Sequence, residues 1–194
     1  MVSPRLFLHE RATHKRKDST LIKINDTLIN EISRRAKSSP RKRLNYNFHK
    51  SFNEPVQRFL NALEPATYLR PHKHENPDKT EVFILIKGRV LILEYHDSGE
   101  IKDYIVLDHK LGNIGVEIGA QVWHSFIGLE EDSVLYEVKE GPFVESSVKH
   151  YPEWAPEEGT EEAKEFNEAI LKKVSITDSI PTVDNRTKAP TNEL

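Results

Sequence analysis

Pro71–Gly88, PHKHENPDKTEVFILIKG, sets two histidines one residue apart, follows them with a polar hexapeptide, and brings Glu81 to the head of the apolar run VFILI. Read as strand, turn, strand, it turns His72 and His74 to the same side, because side chains at i and i+2 of a strand share a face. Glu81, opening the next strand, adds a carboxylate oxygen to the two imidazole nitrogens. A fourth ligand has to come from a distant strand, and His124 in GAQVWHSF, just past a glycine-bearing turn, is the candidate. Three imidazoles and one carboxylate, with positions left open for water or substrate, suit iron(II), manganese, nickel, cobalt or zinc, and the lack of thiolate disfavours a structural zinc site. A lone His-x-His recurs by chance in a chain with nine histidines. The ordered series of His-x-His, Glu81, Gly88 and a late His124 is more specific.

Around this stretch lie further apolar, β-branched or alternating runs: VQRFLNAL, which reads as a strand with a short helix over EPVQRFLNAL as the alternative, then TYLRPHKH, EVFILIKG, RVLILEYH, DYIVLD, GVEI, VWHSFIGL and SVLYEVKEG. Gly88 and Asp97-Ser98-Gly99 supply hairpin turns between them. Short runs at such regular spacing predict an antiparallel sandwich or barrel. Before them, Leu28, Ile29, Ile32 and Ala36 recur at helical spacing behind Asp26, a plausible N-cap, until Ser38-Ser39-Pro40 stops the run. SPRKRLNYNFHKS reads as a basic, Asn-rich connection. After the polar YPEWAPEEG, Glu161–Lys173 is expected to be a helix with Ala163, Phe166, Ala169 and Ile170 on one face.

The domain organisation expected is a flexible basic extension at 1–20, a barrel domain with its N-terminal helix at 21–158, and a C-terminal helix with a disordered tail at 159–194. A hydrophobic fraction of 37% and a mean hydropathy of −0.61 fit one core with polar ends. Residues 1–50 carry 13 Lys and Arg against 4 Asp and Glu, although the whole chain has a net charge of −3. A solvated arm explains that basic front better than nucleic-acid binding. The chain has no cysteine, which suits a reducing compartment, with the cytoplasm as the default. Leu6-Phe7-Leu8 is too short for a signal peptide, and no run approaches a membrane span.

PHKHENPDKTEVFILIKG resembles the first cupin motif, a His-x-His, a Glu and then a Gly, and GVEIGAQVWH resembles the second, which ends in the fourth ligand. The resemblance implies a mainly β fold, a cupin-type antiparallel β-barrel (double-stranded β-helix or jelly roll) with a short N-terminal helix and a C-terminal helix. It also implies His72, His74, Glu81 and His124 as ligands to one divalent transition metal (Fe, Mn, Zn, Ni or Co). Gly119-Ala120-Gln121 departs from the Pro-x-Gly usual in the second motif, and Gly128 stands where an Asn is frequent. SPRKRLNYNFHKSFNEPVQRFLNALEPATYLRPHKH, with YEVKEGPF and EWAPEEG, narrows the likeness over Leu28 to Glu158. It resembles the WbuC-type cupin-fold metalloproteins, a bacterial family associated with O-antigen and lipopolysaccharide gene clusters.

In that likeness Arg41, Asn47, His49 and Arg58 fall in the entry segment, where an arginine pair suits a carboxylate or phosphate. Tyr68 is a candidate proton donor, and Glu137 and Lys139, two apart on a late strand, face one side and can hold a substrate or do acid–base work. Trp123 and Trp154 read as structural. The function expected is a metal-dependent enzyme, isomerase, epimerase or dioxygenase in type, acting on a small sugar-like or acid substrate. The alternative is a metal-dependent small-molecule binding or sensor module. A homodimer is expected by analogy with cupins.

Overall fold

The computed structural model describes residues 21–65, 67–143 and 149–174. The extension expected at 1–20 and the tail expected from Ser175 lie outside them. The described chain forms α1 (Asp26–Ser38), β1 (Arg43–Asn47), β2 (Val56–Leu63), β3 (Glu81–Lys87), β4 (Val90–Tyr95) and β5 (Ile101–Leu107). A single 3-10 turn (His109–Leu111) leads to β6 (Gly115–Ile118), β7 (Trp123–Gly128), β8 (Ser133–Glu140) and α2 (Glu161–Lys173). The strands make two sheets, one in the order β1-β2-β8-β3-β6 and one in the order β5-β4-β7. Every pairing is antiparallel. This is the mainly β, cupin-type antiparallel barrel with a helix at each end that the sequence predicts.

Residue parity explains how the barrel closes. In the five-stranded sheet the odd-numbered residues Leu63, Phe83, Leu85 and Leu135 join the core between the sheets, with Val90, Ile92 and Phe126 opposite them. The even-numbered Leu60, Ala62 and Val134 point the other way and pack under Ile29, Ile32 and Ala36 of α1. On β4 the second face, Leu91, Leu93 and Tyr95, packs with Ile170 and Val174 at the C-terminal helix. Each helix therefore seals the outer face of one sheet, and each fully buried Leu or Ile contributes about 1.5–3 kcal/mol to that seal. β4 is apolar on both faces, which is why VLIL reads as an unbroken run.

Three local expectations need correction. The cap of α1 is Asn25, whose side chain accepts from Leu28 N at 3.2 Å, while Asp26 is the first helical residue and its charge complements the helix dipole. Ala169 of α2 is exposed, because only Ala163 and Ile170 of that helix are fully turned inward. SPRKRLNYNFHKS is not all connection. Arg43–Asn47 within it is an edge strand paired with β2, its alternation hidden because Arg43, Asn45 and Asn47 are the side chains that face in. No helix among the described residues is long and apolar enough to cross a membrane.

Candidate metal centre

His72 and His74 do not lie on a regular strand, as the spacing had implied. They sit in an extended segment that joins the three-stranded sheet by single bridges, His72 to His124 on one edge and Lys73 to His150 on the other. His72 N donates to His124 O at 3.0 Å and His124 N returns a bond to His72 O at 2.9 Å, so two of the candidate ligands are locked backbone to backbone. Gln121 N donates to His74 O at 2.9 Å and fixes the third. Glu81 enters at the first residue of β3, where Lys79 Nζ anchors the preceding turn on the carbonyls of Glu140 and Pro142 at 3.0 and 2.6 Å.

The four side chains converge. One ligand atom from each of His72, His74, Glu81 and His124 lies within 4.8 Å of the others, and all four residues are buried. The tautomers follow from the partners. His72 Nδ1 lies 3.0 Å from Arg70 O and His124 Nδ1 lies 2.8 Å from Val122 O. A carbonyl only accepts, so both Nδ1 atoms carry the proton and both Nε2 lone pairs are directed into the cluster.

His124 Nε2 meets Glu81 Oε1, and both are buried atoms without a hydrogen-bond donor. Two acceptors face to face are satisfied by a cation, so these residues fit a metal ion. Burial holds the imidazoles of His72 and His74 below the usual histidine range, which keeps them neutral. Burial alone would raise the Glu81 carboxyl, but the Lys139 ammonium holds it well below the usual carboxylate range.

Beside the cluster opens a pocket of about 520 Å³. Its wall is read off the sheet register: Asn47, Phe59, Glu137 and Phe83 form one cross-strand row, and Gln57, Lys139 and Glu81 form the next. Asn61 Nδ2 donates to Glu137 Oε2 at 2.5 Å. Burial, reinforced by the negative charge of Glu81, pushes the Glu137 carboxyl up to about 8. Lys149 lines the same pocket, and burial together with the neighbouring Lys139 ammonium pulls it down to about 8.

Of the substrate-binding residues expected, Arg41, His49, Glu137 and Lys139 line the pocket. Arg41 spends its guanidinium on Glu158, with Nη2 at 2.9 Å, and His49 Nδ1 sits 3.1 Å from the Arg58 backbone, accepting from its N–H. Arg58 is not among the lining residues. It occupies an even position of β2, on the side away from the interior, and pairs with Glu54. Tyr68 is a packing residue, its hydroxyl donating to Pro156 O at 3.0 Å and its ring set against Phe166. Trp123 and Trp154 are structural, their indole N–H groups bound to Asp97. Sequence reasoning missed Arg43, Asn45, Asn61 and Lys149. For the first three the signal was the odd-number alternation across β1 and β2; Lys149 stands in a stretch without any period.

Fold and cluster together define a cupin-type barrel carrying a three-histidine, one-glutamate set able to hold a metal. A family described as a domain of unknown function, DUF6016, matches residues 24–107. No curated protein matches the chain. Among solved structures, the chain is similar to KdgF from Halomonas sp., with 13% identity and a TM-score of 0.43 over 56% of this chain and 86% of that one. It is also similar to the capsular polysaccharide assembling protein CapF from Staphylococcus aureus, with 17% identity and a TM-score of 0.46, covering 57% of this chain and 31% of CapF. A cupin superfamily protein from Desulfitobacterium hafniense shares 12% identity at a TM-score of 0.40, over 50% of this chain and 76% of its own.

Proposed function

We propose that this protein is a metal-dependent enzyme, isomerase, epimerase or oxygenase in type, that acts on a small sugar-like or acid substrate. The observation that carries the reading is the pair of orphaned atoms, His124 Nε2 and Glu81 Oε1, buried in a cluster whose His72 and Glu81 line a pocket of small-molecule size. Bound through His72, His74, Glu81 and His124, a divalent transition metal would supply Lewis acidity toward a substrate oxygen, or a site for dioxygen.

The rest of the chemistry belongs to the chain. Glu137, protonated at neutral pH, can give a proton to the substrate and take one back, which is the exchange an isomerase or epimerase needs. Asn61 fixes which carboxyl oxygen remains for that task by donating to Oε2. The inner rows of Phe59 and Phe83 exclude water from one side of the pocket. The WbuC-type likeness of the sequence supports a substrate from O-antigen or lipopolysaccharide synthesis, with a cytoplasmic homodimer as the working form.

The test is elemental analysis of protein purified without a nickel column, beside His74→Ala, followed by turnover on nucleotide sugars and keto acids. About one equivalent of transition metal in the wild type, lost in the variant, is expected. Saturable binding without product would turn the reading to a sensor or carrier. No metal in the wild type, and none taken up on adding iron(II), manganese or zinc, would overturn it.

A further inference from the structure

Arg41, Arg43, Lys139 and Lys149 bring positive charge to the pocket. Arg41 and Arg43 are engaged: both reach Glu158, and Arg43 Nη1 also donates to Tyr68 O at 2.7 Å. Lys139 is engaged with Glu81 and His74. Lys149 is different. It lines the pocket beside His72, Glu81 and Glu137, yet among the described residues it has no hydrogen bond or ion pair. The Glu81 and Glu137 carboxyls act on its charge but neither bonds the ammonium, which leaves it open to an anion that a ligand brings.

The neighbouring groups specify more of that ligand. Asn45 and Asn47, exposed on the open side of β1, line the pocket, and among the described residues no protein group hydrogen-bonds their side-chain amides. At the mouth the rings of Phe52 and Phe143 lie 4.9 Å apart, both exposed, tied together by Phe143 N donating to Phe52 O at 2.7 Å. Such a pair offers an apolar platform to a C–H face, while solvated amides can exchange water for hydroxyl or carbonyl oxygens.

We infer that the pocket binds a small polyhydroxylated carboxylic acid, its carboxylate on Lys149, its hydroxyls on Asn45 and Asn47, and its carbon skeleton against Phe52 and Phe143. This rests on the reading of the cluster as a metal site facing a small-molecule pocket. Lys149 is then the residue that selects acids over neutral sugars, and it does so without touching the metal ligands.

The experiment uses the full chain with its metal content measured. It follows thermal stabilisation and calorimetric binding for gluconate, glucuronate, galacturonate, glycerate and tartrate, each beside a neutral counterpart such as sorbitol or glucose, with inorganic phosphate as a separate arm. At least one acid should bind saturably and about tenfold or more tighter than its neutral counterpart. Lys149→Met should erase that preference with metal content unchanged, and Lys149→Arg should restore most of it. Neutral sugars binding as tightly as acids, phosphate binding better than every acid, or Lys149→Met retaining the preference would overturn the inference. So would metal-loaded protein that no acid stabilises. Protein that takes up no metal yet still prefers acids through Lys149 would sink the metal reading and leave this inference standing.

Discussion

Lys139 donates from Nζ to His74 Nε2 across 2.7 Å, and the same ammonium lies 3.0 Å from Glu81 Oε2. The lone pair that a metal needs on His74 is thus held by a built-in cation. Lysine and metal compete for one nitrogen and repel each other. In Lys139→Met, metal should bind about tenfold or more tighter, read by titration of chelator-treated protein. The same variant without metal should lose roughly 3 kcal/mol in urea denaturation, because Glu81 is left buried without its partner. The gain in Tm on adding metal should therefore be larger than in the wild type.

Glu137 predicts a pH signature. Its carboxyl sits at about 8 in the fold against a usual 4.5. A group with a raised folded pKa contributes stability that is fully present below the unfolded value and is lost as pH rises toward the folded one. In metal-free protein, the unfolding free energy should fall between about pH 4.5 and 8, and Glu137→Gln should remove that fall. Lys149 titrates in the opposite sense, its folded value of about 8 lying below 10.5, so it adds stability as pH rises from 8. Both proteins keep Lys139, Lys149, Glu81 and Asn61, so their difference at pH 5, 6.5 and 8 isolates Glu137. Equal slopes would refute the protonated carboxyl.

Gly88 turns β3 into β4 at φ +81°, and a Cβ there would collide with Ser133 Oγ and meet the Ser133 Cα at 2.7 Å. Gly88→Ala therefore combines backbone strain with a clash against main chain. A loss of about 2 kcal/mol or more is expected, with metal stoichiometry preserved in the folded fraction.

Ile32 is fully buried where α1 covers the outer face of the five-stranded sheet. Ile32→Ala should cost about 2–5 kcal/mol. Because α1 lies on the side of that sheet away from Glu81 and Lys139, metal content per folded molecule should not change. Loss of metal at unchanged stability would contradict the odd-inside, even-outside register.

The sequence displays an element when its two faces differ in polarity in the usual way. β3 and β4 carry Phe83, Leu85, Val90 and Ile92 inward and β8 carries Val134 and Tyr136 toward α1, so each has an apolar face and reads directly as a strand. β1 escaped because its inner face is Arg43, Asn45 and Asn47, so a pocket wall looks like a polar loop. Asn61 was legible as a strand position but not as the partner of Glu137, since that pairing joins β2 to β8 across 76 residues. The four-residue cluster was legible from spacing, although His72 and His74 reach it through bridges rather than through a full strand. Arg58 was expected from the likeness alone, and its even position on β2 turns it away from the odd-numbered wall.

The two halves of the site come from different parts of the barrel. His72, His74 and His124 hang on the edge of the three-stranded sheet and Glu81 on β3, whereas Asn45, Asn47, Asn61 and Lys149 belong to β1, β2 and the segment after β8. Substitutions in the second group can alter which molecule is admitted while the donor set that would carry the reactivity stays intact. The edge strand β1, bonded on one side only, is where such a change disturbs the least structure.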